Sequence, residues 1–139
     1  MTEIEINRSV ALLLIRVITG ILFFFQAYDK IFNLGTKNVA ETFRYSLSPR
    51  FINENMFYTG VRISSYIELA GGIVLVLGFF RNYALYILGA DLIFVALFFS
   101  MMRPMWDMQF FFPRLVLIIV LLLCPPEWDA FTIDKLVNL

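Results

Sequence analysis

The chain contains no histidine and a single cysteine, Cys124, in 139 residues. Lack of histidine excludes His-ligated haem, imidazole metal sites and Ser-His-Asp chemistry. With one thiol, neither an intrachain disulfide nor a CxxC redox pair can form. Charge is also scarce. Eleven Lys and Arg balance eleven Asp and Glu, only 16% of the residues, so the formal net charge is zero. No basic field remains to attract nucleic acid, which is excluded as a partner. Repeats and low-complexity segments are missing too.

What is abundant is apolar surface: 60% of residues are hydrophobic, and the mean hydropathy is +0.80. A soluble domain of this size has too little volume to hide so much of it. The lipid bilayer is the solvent this composition fits. The N-terminal run MTEIEINRSVALLLIRV begins acidic, is interrupted by Arg16 and lacks a small-residue cleavage site. It is expected to be retained rather than removed as a signal peptide.

A helix crosses a bilayer with about 20 mostly apolar residues. Four windows qualify, at about 9–32, 61–80, 82–102 and 108–124. The second and third are joined tightly at Arg81 and Asn82, the third and fourth by RPMWD, and such links make antiparallel neighbours. The expected fold is an all-α membrane protein, an antiparallel four-transmembrane-helix bundle with a long loop between helices 1 and 2. It forms one domain over 1–139. At about 38–47, where Val39, Phe43 and Leu47 recur four apart, the spacing fits either a short interfacial helix or an irregular loop, and a further short interfacial helix fits about 130–137, beyond Trp128. Four spans put both termini on one side, and the distribution of Lys and Arg favours a cytoplasmic long loop.

Each window carries one ionisable residue deep inside it: Arg16, Glu68, Asp91 and Arg114. A lone charge at mid-membrane costs about 2.5–3.5 kcal/mol, so pairing or proton uptake is expected. Counting at about 1.5 Å per residue brings all four within roughly one and a half turns of the same depth. An intramembrane polar network of these four follows, with Glu68 paired to Arg16 or Arg114. Its two readings are structural ion pairs that fix helix register, and a polar pocket that binds or protonates a ligand. Gly20, Gln26, Lys30, Ser65, Tyr66, Gly71 and Gly72 are candidates for the pocket lining. Among them the glycines let helix backbones approach closely in lipid. Lys30 also reads as an interface anchor, and Gln26 and Tyr66 as packing residues. Cys124, at an apolar helix end, is expected to be chemically quiet. No metal site and no catalytic residue is assigned.

LLLIRVITGILFFFQAYDKIF, with Arg16, Gly20 and Lys30, resembles the first helix of the DoxX family. IELAGGIVLVLGFFRNYA resembles its second-helix signature of glutamate, glycine pair, apolar run, glycine and arginine. PPEWDAFTID resembles the family's C-terminal segment, ending in Asp134. Three places depart from the pattern. Gln26 and Ala27 stand where a His-Gly pair is frequent, Pro126 and Glu127 replace part of a Gly-Pro-Gly turn, and Gln109 or its neighbour occupies a place where an acidic residue is common. The resemblance implies a multi-pass protein of the bacterial inner (cytoplasmic) membrane, associated with quinone-linked or thiol and oxidative-stress redox chemistry. It would use a quinone and a redox-active partner protein, and a homo-oligomer is compatible with it. With no evident redox centre in the chain, electrons would come from that partner or from a bound cofactor. The alternatives are a structural or assembly subunit of a membrane complex and a small proton-coupled transporter.

Overall fold

The computed structural model describes residues 1–44, 54–102 and 108–138, with the side chains of 1–41, 55–97 and 112–138. Every regular element among the described residues is helical. Helix α1 spans Glu3–Tyr28 and runs into a π turn, Asp29–Asn33. Then come α2 (Thr36–Arg44), α3 (Glu54–Leu77), α4 (Arg81–Met102) and α5 (Met108–Leu123). A 3-10 turn at Pro126–Trp128 and the short α6 (Ile133–Leu136) complete the chain.

Two helices begin earlier than their apolar windows. Thr2 caps α1 reciprocally with Glu5: the Thr2 hydroxyl accepts from the Glu5 amide at 3.3 Å, and the Glu5 carboxylate accepts from the Thr2 amide at 2.7 Å. That capping box adds a polar turn which hydropathy alone does not register. Helix α3 likewise gains the polar ENMFYTG before its apolar stretch. The link between α3 and α4 is not Arg81 and Asn82 but Gly78–Phe80. Gly78 takes φ +70°, donates to Leu75 O at 3.1 Å, and Phe79 donates to Val74 O at 3.0 Å. This is a Schellman end, whose left-handed residue glycine adopts without strain. Arg81 thereby becomes the first residue of α4. Of the stretch 38–47, α2 covers the part to Arg44, with Val39 and Ala40 buried; 45–47 lie outside the described residues.

Hydrogen bonds at one end of the molecule set the helix directions. Ser9, early in α1, donates to Trp128 O just beyond α5. Arg16 reaches Leu75 O and Val76 O at the end of α3, and Arg81, opening α4, reaches Leu121 O at the end of α5. The four long helices therefore alternate in direction. They pack in a ring in which α1 touches α3, α3 touches α4, α4 touches α5 and α5 returns to α1.

Inside the ring Leu12, Phe23, Leu75, Leu85, Leu88 and Ile118 form the apolar core. Arg16, Ser65, Glu68 and Asp91 are buried as well, while Ile18, Phe25, Ile93 and Leu97 face outward. Charge inside and hydrocarbon outside suits lipid rather than water as the solvent. Among the described residues, two helical stretches, Glu3–Asn33 and Asn55–Leu77, are long and apolar enough to cross a membrane.

Where α1 and α3 cross, glycine meets glycine. A Cβ on Gly72 would fall 2.8 Å from Gly20 O and 2.8 Å from Phe24 N, and one on Gly20 would fall 2.8 Å from Gly72 O. Backbone atoms cannot rotate away, so the helices would have to separate. Gly72→Ala is expected to cost about 1–3 kcal/mol, as overpacking does, read as a lower thermal midpoint in detergent. Gly89→Ala is the control. Its nearest contact would be Ile118 Cγ2 at 3.9 Å, and alanine is the better helix former. Equal midpoints for the two variants would refute the close packing.

Candidate functional site

The four intramembrane charges do not assemble into one network. Arg16 stands apart from the others, at the end of the ring that holds the termini. Its Nε donates to Asp129 Oδ2 at 3.0 Å, Nη1 to Leu75 O at 2.9 Å and Val76 O at 2.7 Å, and Nη2 to Phe131 O at 2.6 Å. Two of these acceptors are carbonyls that the last turn of a helix leaves without intrahelical partners. Gly78 makes the room: a Cβ there would sit 2.6 Å from Arg16 Nη1. Around this clasp the C-terminal segment is tied down further. Asp134 accepts from the Phe80 amide at 2.9 Å and the Arg81 amide at 3.4 Å, capping α4 from a distant part of the chain. The Arg8 guanidinium lies 4.5 Å from the centre of the Trp128 ring.

Arg81 and Asp129 are buried members of this group that sequence reasoning missed. Arg81 looked like a link residue, yet it is buried and donates to Leu121 O and Cys124 O. The guanidinium brings positive charge close to Cys124, a neighbour that an apolar helix end did not suggest. Asp129 lies just past PPEW with no apolar window around it, so nothing local marked it as buried.

Glu68 has a different partner from the two arginines expected for it. Its Oε2 accepts from Lys30 Nζ at 2.7 Å. Helix register explains the correction. With Gly20 against Gly72 and Arg16 against Val76, Glu68 lies further along, level with the last turns of α1. Lys30 stands just beyond those turns. The π turn, marked by the bond from Leu34 N to Asp29 O at 2.8 Å, widens the helix there, a distortion frequent at functional sites. Lys30 thus serves as a partner inside the ring as well as standing near its edge.

The remaining charges gather around this pair. Asp91 on α4 faces Ser64 and lies within electrostatic reach of Glu68 and Lys30. Arg114 on α5 is within reach of Glu68, with its guanidinium carbon 5.6 Å from the centre of the Phe23 ring. Lys30, Glu68, Asp91 and Arg114 balance in sign, Lys30 taking the place foreseen for Arg16. Several polar atoms here are buried without a hydrogen-bond partner: Gln26 Oε1, Ser64 Oγ, Asp91 Oδ2 and Arg114 Nε. Unsatisfied buried groups cost stability, and a cluster of them calls for a ligand, water or proton.

A groove of about 670 Å³ leads to this cluster between α3 and α4. It runs from Asn55 and Thr59 at the start of α3, past Ile63, Ile87 and Phe94, to Ser64 and Asp91. Its size and mostly apolar walls are those of small-molecule sites. Of the expected lining residues, Tyr66 is exposed and Ser65 spends its hydroxyl on Val61 O at 2.7 Å. Gly20 and Gly72 serve the helix crossing, and Gly71 packs on Leu88. Gln26 remains with the polar cluster. Ser64, on the same helix face as Glu68, is the wall residue that the candidate set left out.

The family model for DoxX matches residues 11–101. The chain belongs to the DoxX family. It is accordingly a membrane protein. No curated protein and no solved structure matches it. Within this DoxX-family chain the match includes Lys30, Glu68, Asp91 and the helix crossing at Gly20 and Gly72. Arg114 and the C-terminal clasp lie beyond it.

Proposed function

We propose that this DoxX-family protein crosses the bacterial inner membrane four times and binds a quinone as the membrane subunit of a redox system. Helices α4 and α5 run beside α1 and α3 in the ring, so all four share one depth. The observation that carries the reading is the apolar groove ending on buried, unpartnered Asp91 and Ser64, beside the Lys30–Glu68 pair. A quinone is an apolar body with two polar oxygens. As carbonyls they accept hydrogen bonds, which the Ser64 hydroxyl can supply. Reduced to hydroxyls they donate, which Asp91 and Glu68 can receive. With no histidine and one cysteine in the chain, electrons pass to or from a redox-active partner protein. Arg16 belongs to the structural clasp and takes no part in this site.

Purification in a gentle detergent, followed by solvent extraction and quantification of quinone, tests the proposal. Near-stoichiometric quinone is expected, with a several-fold drop in Asp91→Leu protein that remains folded. Quinone no higher than in an unrelated membrane protein prepared from the same cells would end it.

A further inference from the structure

Resting on the reading of the groove as a ligand site, we infer that it selects a head group that donates a hydrogen bond, a phenolic or alcoholic hydroxyl on an apolar body. The polar corner of the groove is made by two side chains, each only 6% exposed: Ser64 and Asp91. Asp91 Oδ2 and Ser64 Oγ make no full hydrogen bond within the chain, although the Ser64 hydroxyl faces the Asp91 carboxylate across helices α3 and α4 closely enough to act on it. An ionised carboxylate accepts and cannot donate, whereas a hydroxyl does both. Ser64 is thus the one side-chain donor at this corner, and the carboxylate, with about four acceptor sites, has room for another. A ligand hydroxyl donates a hydrogen bond to Asp91 and accepts one from Ser64.

The groups behind this corner do not fill the gap. Lys30 Nζ is engaged by Glu68 at 2.7 Å, and Arg114, whose guanidinium lies over the Phe23 ring, is not among the residues that line the groove. The walls nearest the corner, Ile63, Ile67 and Ile87, hold an apolar body and offer no side-chain polar group. An ether or ketone of the same shape can still accept from Ser64 but brings no donor to the carboxylate, which is how polar sites reject isosteres. For a quinone the favoured form is the reduced one.

The test compares 4-nonylphenol with its methyl ether, which keeps the apolar body and loses the donor. Equilibrium binding is measured to the full chain in lipid nanodiscs, with empty nanodiscs subtracted. A hydrogen bond to a charged group corresponds to a preference for the phenol of roughly ten- to a hundredfold. That preference is expected to collapse in Asp91→Leu and to weaken in Ser64→Ala. Asp91→Leu should fold, because it replaces an unsatisfied buried carboxylate with an apolar side chain of similar volume. Equal binding of both compounds to the native chain overturns the donor preference while leaving the groove as a ligand site. A preference that survives both substitutions overturns the assignment to this corner. No saturable binding of either compound overturns the groove itself, and the inference with it.

Discussion

Arg16→Ala is expected to lower stability by about 3–5 kcal/mol, the cost of breaking a buried ion pair from one side. Arg16 and Asp129 have side chains only 1% and 0% exposed, so the stranded carboxylate has no route to water. The backbone carbonyls of Val76 and Phe131 lose the Arg16 donor at the same time, and Leu75 O is left with the Gly78 amide. For a chain of this length such a loss lowers the thermal midpoint by about 10 °C or more. Circular dichroism melts in one detergent measure it. Arg16→Lys should recover little, because a single ammonium cannot span acceptors spread over α3 and the C-terminal segment as a planar fork does. Asp129→Asn should cost less than Arg16→Ala, since the amide oxygen still accepts from Nε. A midpoint for Arg16→Ala within a degree or two of the native protein would show that the clasp contributes nothing.

The Lys30–Glu68 pair should respond asymmetrically. Glu68 is 2% exposed and Lys30 is 20% exposed. Lys30→Met strands a buried carboxylate and is expected to cost up to about 3–5 kcal/mol. Glu68→Gln frees a lysine that can extend its long stem toward an interface, and should cost about 1 kcal/mol. Arg114 lies within reach of Glu68 with a free Nε. Any swing of that guanidinium toward the carboxylate brings Lys30→Met to the lower end of its range. The double variant should be far more stable than the sum of the singles requires, because removing both partners leaves no unpaired charge. Thermal midpoints of the three proteins decide it. Additive losses, or Glu68→Gln as the worse single change, would mean that this contact does not govern the stability of the site.

Much of the molecule was legible in its residues because the relevant signals are local. Runs of apolar residues marked the helices, and four lone charges inside them marked a polar interior. Thr2, Glu5 and Gly78 carry local signals as well, but windows drawn on hydropathy passed over them and misplaced the start of α1 and the end of α3. The small residues beside Glu68 announced a close helix crossing. Membership of the DoxX family was readable from the signatures of the first two apolar windows taken together with the C-terminal segment. Pairing was not readable, because it depends on register. The contact of Gly20 with Gly72 slides α1 along α3 until Arg16 meets the end of that helix and Lys30 meets Glu68. Depth counted from the ends of apolar windows could not resolve that shift, since the helices extend past their windows by polar turns. Asp129 and Arg81 sit in polar, turn-like sequence, and only the folding back of the C-terminal segment buries them. The groove at Ser64 and Asp91 exists only between two packed helices. Which residues are charged is a property of the chain; which charges meet, and which polar atoms are left waiting for a partner, is decided by how its helices pack.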